Sequence, residues 1–269
     1  MAYRNIMVRL NPASDNDALL RLTAELAVQS SARVIGIAAI APFPTTYFEN
    51  LAAVTAEMVQ EVQDRAARDM QACETQFRIA MEGRVKKVEW RSTLCVGSPL
   101  AFFAQEARAA DLIVTGSDAS VNLGELAMRA GRPVLIVPKG LSSLHIRRAV
   151  IAWKDEREAR RAVVDALPLL ESAQNCTILE ITSLNGVGQC RQRLEDVAGW
   201  LGSHGISSDV QSVGVAGSHS PSLLGELRRL VPDLVIAGAY GHNRMAEWAF
   251  GGVTHDILLG AEFCVLISH

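Results

Sequence analysis

An internal duplication constrains this chain more than any other feature. Asp111-Leu112-Ile113-Val114-Thr115-Gly116-Ser117 returns as Asp233-Leu234-Val235-Ile236-Ala237-Gly238-Ala239. Each copy is a short apolar run between an acidic residue and a glycine, the form of a buried parallel strand that ends in a tight turn. A second matched element precedes each, Gly97-Ser98-Pro99-Leu100 in one copy and Gly217-Ser218-His219-Ser220-Pro221 in the other. Serine followed by proline predicts a helix start, since the hydroxyl accepts an orphan backbone N–H and proline has none to leave unpaired. A third element closes the unit, where Pro133-Val134-Leu135-Ile136-Val137-Pro138 matches Cys264-Val265-Leu266-Ile267-Ser268-His269. Repetition at this scale outranks any single local reading.

The openings match more loosely. Ile6-Met7-Val8-Arg9-Leu10 and Ala149-Val150-Ile151-Ala152-Trp153 are strand-like, and each precedes a polar turn and an amphipathic stretch. Leu19, Leu22, Leu26 and Ala27 share one helical face in the first copy; Ala159, Ala162, Val163, Ala166, Leu167 and Leu170 share one in the second. Second strands follow at 33–40 and 177–181. The order in both halves is β-α-β-α-β-α-β-α-β, which predicts a parallel sheet covered on both faces. The chain of 269 residues thus divides into two doubly wound α/β domains, 1–140 and 147–269, with Gly140-Leu141-Ser142-Ser143 in the linker between them.

The copies differ in two places. Residues 55–84 of the first carry Val59, Val62, Ala66, Met70, Cys73, Phe77 and Met81 at helical spacing, a helix expected to pack on its own sheet. Between the fourth and fifth strands the second copy is nine residues longer, because 18 positions separate Gly116 from Val134 and 27 separate Gly238 from Val265. The addition falls at the carboxyl edge of the sheet, where open α/β folds bind ligands. There the glycines run G-x2-G-x9-G at Gly238, Gly241 and Gly251, followed by Gly252-Val253-Thr254 and the apolar stretch His255-Asp256-Ile257-Leu258-Leu259. Glycines after a strand let backbone approach a ligand closely, and N–H groups at a following helix start hold anionic oxygens. The physical reading is an anion cradle. No lysine follows the glycines, so this is not a GxxxxGK[ST] phosphate loop, and it is not GxGxxG.

The G-x2-G-x9-G pattern after Asp233-Leu234-Val235-Ile236-Ala237, the Gly/Ser-Pro element before it and the closing Val265-Leu266-Ile267 strand resemble the universal stress protein family in a tandem two-domain form. The resemblance covers nearly the whole chain and is strongest over 149–269. It implies two Rossmann-like, five-stranded, mainly parallel domains that form an intrachain pseudo-dimer by pairing their fifth strands, with further association into a homodimer open. It also implies a nucleotide-binding regulatory module of the stress response, carrying ATP or a related adenine nucleotide, which Mg could accompany.

Carried over by position, the phosphates and ribose would meet Gly238, Gly241, Gly251, Gly252, Val253 and Thr254, with His242 in the same loop. The turn Trp153-Lys154-Asp155 would lie near adenine and ribose. Trp153 either stacks on the base or fills its pocket; Lys154 either aids a phosphate or is a solvated turn lysine. His255 is either a ligand contact or a surface residue. Gly252 stands where the family usually has Ser or Thr, a change that backbone donation survives. The first copy has the shorter loop Gly116-Ser117-Asp118-Ala119-Ser120-Val121-Asn122-Leu123-Gly124-Glu125, whose Asp118 and Glu125 would repel a triphosphate, and Asn11-Pro12 replaces the acidic turn. That half is expected to lack nucleotide. A nucleotide-free interaction scaffold, acting through the domain-pairing surface, is the alternative for the whole chain.

The remaining signals narrow the function class. The net charge of −3 gives no general attraction to nucleic acid or an anionic membrane. Cys73, Cys95, Cys176, Cys190 and Cys264 include no C-x-x-C pair and read as reduced, mostly buried thiols of a cytoplasmic chain. No secretory h-region and no run near ~18 apolar residues is apparent. The six histidines form neither H-x3-H nor H-E-x-x-H, so no metal site is expected. Ser117 lacks the G-x-S-x-G elbow, and no general base is placed near the glycines. No catalytic residue is therefore assigned, and turnover is at most that of a slow ATPase. Arg157, Arg160 and Arg161 read as a solvated helix face.

Overall fold

In the computed structural model, which describes residues 2–43, 55–118, 120–215, 219–239 and 263–269, strands and helices alternate within the first copy and as far as Gly238 in the second. The first copy runs β1 (Asn5–Arg9), α1 (Asp17–Ser30), β2 (Arg33–Ile40), α2 (Ala56–Met81), β3 (Val88–Leu94), α3 (Leu100–Glu106), β4 (Leu112–Gly116), α4 (Leu123–Ala130) and β5 (Val134–Val137). The second runs β6 (Arg148–Ala152), α5 (Arg157–Leu170), β7 (Asn175–Ser183), α6 (Val187–Ser203), β8 (Ser208–Val215), α7 (His219–Leu230), β9 (Leu234–Gly238) and β10 (Cys264–Ser268). The helix expected at 255–259 lies outside the described residues.

The chain divides into two units: residues 3–122 with 139–143, and the described residues of 123–138 and 144–269. In the first, β3, β2, β1 and β4 lie side by side in that order, all parallel, with Arg9 level with Ile37 on one side and Thr115 on the other. The second has the order β5-β10-β9-β6-β7-β8. Its strands are parallel except at one step, where β10 meets β5 antiparallel with Val265 opposite Ile136 and Ile267 opposite Val134. The fifth strands of the two copies therefore pair with each other, as the resemblance implies. Strand β5 and helix α4 consequently belong to the unit built around the second copy.

Local chemistry accounts for the elements. The predicted stripe of α1 is buried at Leu19, Leu22, Leu26 and Ala27, and that of α5 at all six predicted positions. In α2, Thr55 caps the helix by accepting from Met58 N–H, and Ala66, Met70, Cys73, Phe77 and Met81 are buried while Val59 and Val62 are half-buried. This stripe packs on β2, β3 and α1 of its own unit. Gly36 in β2 admits the Phe77–Trp90 ring pair, whose centroids are 5.5 Å apart, since a Cβ there would lie 2.7 Å from Trp90 and 2.9 Å from Phe77.

The acidic residue that opens each repeated strand has a task that the pattern alone does not reveal. Asp111 Oδ2 accepts from Arg4 and Asn5 N–H at 2.8 and 2.9 Å, and Asp233 Oδ2 accepts from Arg147 and Arg148 N–H at 2.8 Å each. In both copies the fourth strand thereby pins the start of the first. Ser98 Oγ accepts from Leu100 N–H at 3.3 Å, the expected cap ahead of α3. Helix α7 begins at His219, two residues ahead of the expected first position Pro221, which a first turn tolerates because its N–H groups have no intrahelical acceptor and Pro221 gives up none.

Candidate functional site

In each copy the first and fourth strands are neighbours, and the crevice at their carboxyl ends is the place where such sheets take ligands. The registers make the two crevices comparable. Arg9 is level with Thr115 in the first copy, and Ala152 is level with Ala237 in the second. At this register the first copy carries a cation and a hydroxyl, the second two alanines.

The first crevice is saturated by its own side chains. Arg9 is 2% exposed; its Nε donates to Thr115 Oγ1 at 2.7 Å, one terminal nitrogen to Ser120 Oγ at 3.0 Å, and the other pairs with Asp118. The guanidinium carbon lies 5.8 Å from the centre of the Phe103 ring. Burial pulls the Arg9 pKa down, and the adjacent Asp118 carboxylate opposes that shift by charge and hydrogen bond. The turn after β1 is closed by Asn16, whose Oδ1 accepts from Asn11 N–H while its Nδ2 donates to the carbonyls of Asn11 and Ser14. The expectation that Asp118 and Glu125 exclude a triphosphate by repulsion is corrected in its reason. Asp118 is neutralised by Arg9, and Glu125 forms an ion pair with Arg129 at 2.8 Å. The crevice is occupied by arginine rather than guarded by bare carboxylates.

In the second crevice the described site residues are Trp153, Lys154, Asp155 and Gly238. Trp153 continues the ladder beyond β6, its N–H donating to Leu179 O at 2.8 Å, and its side chain is 7% exposed. Its indole Nε1 is buried and has no hydrogen-bond partner among the described residues. Lys154 is exposed and paired with Glu156 at 2.5 Å; Asp155 accepts from Arg160 at 2.6 Å. Gly238 ends β9 beneath the first turn of α5, where a Cβ would stand 2.6 Å from Ala159 N and 2.9 Å from Glu158 Cβ. The space its missing side chain leaves is filled by the helix. Gly241, His242, Gly251, Gly252, Val253 and Thr254 lie outside the described residues, as does His255.

Two neighbours of this crevice escape sequence reasoning. Glu158 is 3% exposed; burial pushes its carboxyl up, but the hydrogen bond and charge of Arg157, its own backbone N–H and the charge of His269 together leave it below the usual carboxylate range. His269 Nδ1 lies 2.9 Å from Ala239 O, at the same edge. An acid on an otherwise apolar helix face was the available signal for Glu158. Among the described residues no group of three or more His, Cys, Asp or Glu could hold a metal ion, and no helix is long and apolar enough to cross a membrane.

No protein-family model and no curated protein sequence matches the chain. Solved structures do. A universal stress protein from Archaeoglobus fulgidus DSM 4304 aligns with a TM-score of 0.70 and 15% identity, over 98% of this chain and 95% of that one. A functionally unknown protein from Pseudomonas aeruginosa PAO1 aligns with a TM-score of 0.58 and 14% identity, over 99% of this chain and 92% of that one. Identity at this level is a likeness of fold.

Proposed function

We propose that this chain, which has the fold of a two-domain universal stress protein, is a cytoplasmic regulatory module of the stress response whose second copy binds ATP or a related adenine nucleotide and whose first copy does not. The observation that carries this reading is the asymmetry of the two crevices. Arg9, Thr115, Asp118 and Ser120 satisfy one another in the first, whereas the second presents Ala152 and Ala237 at the same register and is followed in sequence by the G-x2-G-x9-G segment. Backbone N–H groups of Gly241, Gly251, Gly252, Val253 and Thr254 would hold the phosphates, with His242 beside them. Mg would enter with the nucleotide. With a net charge of −3, phosphate affinity has to come from such local donors rather than from the field of the whole protein. Turnover would be slow or absent.

Calorimetric titration with ATP tests the reading. Saturable binding at or below millimolar ATP, lost in Gly241→Val and retained in Asp118→Asn, is the expected result. No heat of binding from the native chain, together with no nucleotide released on denaturing the purified protein, would overturn it.

One observation favours the second reading, a nucleotide-free scaffold. Gly238 is accounted for by the approach of α5, so this first motif glycine has a packing reason that needs no ligand. On that reading the same titration stays flat, and the paired fifth strands carry the function by presenting a surface to a protein partner or to a second copy.

A further inference from the structure

Helix α2 passes the first turns of α1 along a groove of about 800 Å3 that belongs wholly to the first unit. Three arginines line it, Arg21, Arg68 and Arg84, against one carboxylate, Asp17, which accepts from Gln76 Nε2 at 2.6 Å and stands 3.9 Å from Arg21. Arg68 and Arg84 are exposed and have no ion-pair partner among the described residues. By contrast Arg78 faces Glu74, Arg161 faces Asp165 and Arg191 faces Glu195, each on its own helix. In a chain of net charge −3 the groove is a local excess of positive charge. It is also apolar at one point: Ile79, 67% exposed, is the most open large apolar side chain on any described α-helix. The cations are spread out. From Arg68 to the end of α2 at Met81 is about 20 Å at the helical rise, and Arg84 follows in the closing turn, its N–H donating to Met81 O at 3.1 Å. A single phosphate or carboxylate cannot meet both ends, whereas a segment with carboxylates along its length can.

We infer that this groove docks an acidic amphipathic helix of a partner protein, its apolar stripe over Ile79 and Ala72 and its carboxylates toward Arg68, Arg84 and Arg21. A trough between two packed helices has the shape that a third helix fills, and Ala72 and Ala80 let its backbone come close. This surface does not rest on the glycine segment and stands whether or not the protein binds a nucleotide.

The probe is a fluorescein-labelled, amidated peptide of three Glu-Leu-Ala-Glu-Leu-Leu-Glu repeats, which as a helix places leucines on one face and carboxylates on its flanks. Its anisotropy should rise saturably with micromolar full chain at low salt, and added salt should weaken the complex. The same repeat with lysine for glutamate should not bind. Arg68→Glu with Arg84→Glu should weaken binding at least ten-fold. Arg108→Glu with Arg191→Glu, the same change of charge at exposed arginines outside the groove, should leave it within about two-fold. Ile79→Ala, which alters no charge, should weaken it about five-fold. No saturable binding, equal binding of the lysine peptide, or full affinity in either groove variant overturns the inference. Two further outcomes also overturn it by naming another occupant. Sedimentation with phosphatidylserine–phosphatidylcholine vesicles that Arg68→Glu with Arg84→Glu abolishes would give the groove to a membrane surface, and a concentration-dependent dimer that the same substitutions dissolve would give it to a second copy.

Discussion

At the scale of single residues, Arg9 shows how a ligand crevice can be closed from within. A guanidinium taken out of water is tolerated only when its charge and donors are met, and here Thr115, Ser120 and Asp118 meet them. Removing the carboxylate while keeping the arginine should therefore cost far more than removing both. Asp118→Asn is expected to lower unfolding stability by about 3 kcal/mol, and Arg9→Met with Asp118→Asn to recover most of that loss. Urea denaturation of the three proteins checks this; a loss below about 1 kcal/mol for Asp118→Asn would show that water already screens the pair. Little of this was legible in the sequence. A lone arginine in an apolar strand and an aspartate just beyond another were visible, but their meeting depends on strand register, which pattern does not give. Asp111 and Asp233 are the converse case: their recurrence was plain, while the reason, a pair of strand-start N–H groups, required the neighbouring strand in place.

Elements were the most legible level. Helix α2 lies within the expected 55–84, and its buried residues are five of the seven predicted, because a 3.6-residue apolar period survives any tertiary context that buries one face. The residue beneath it was not foreseen. Gly36 sits in a strand interior where glycine is usually a liability, and its reason is the Phe77–Trp90 ring pair above. Gly36→Val should displace both rings and destabilise the protein by about 1–3 kcal/mol, despite the better strand propensity of valine. Thermal unfolding followed by near-ultraviolet circular dichroism tests both parts, and an unchanged aromatic signal with unchanged Tm would refute the packing account. The glycine-rich segment illustrates the opposite limit: its spacing was conspicuous in sequence, while its contribution to a site depends on φ angles and donors that a string of letters does not carry.

At the scale of the whole molecule, duplication, alternation and pairing of the fifth strands were all readable, and the structural matches over 98% and 99% of the chain agree with the fold they imply. Ownership of β5 was less readable, because a strand's neighbours are chosen in three dimensions and β10 offers it an antiparallel ladder. If that ladder is what covers the apolar edge of β10, a fragment of residues 147–269 should self-associate. Size-exclusion chromatography over a range of concentrations should give a dimer or larger species for the fragment and a concentration-independent elution for the complete chain. A fragment that stays monomeric at high concentration would indicate that the edge is protected in some other way.

The β5–β10 ladder also bears on how this protein could have come to differ from itself. When two identical subunits meet edge to edge, every substitution appears twice, and a change that closes one crevice closes both. Here the two edges belong to one chain, pairing is insensitive to dilution, and each crevice is encoded separately. Arg9 can therefore fill one crevice while Ala152 and Ala237 stand at the same register in the other, where the sequence runs on into the glycine-rich segment. Within one chain, a substitution alters one crevice and leaves the other as it was.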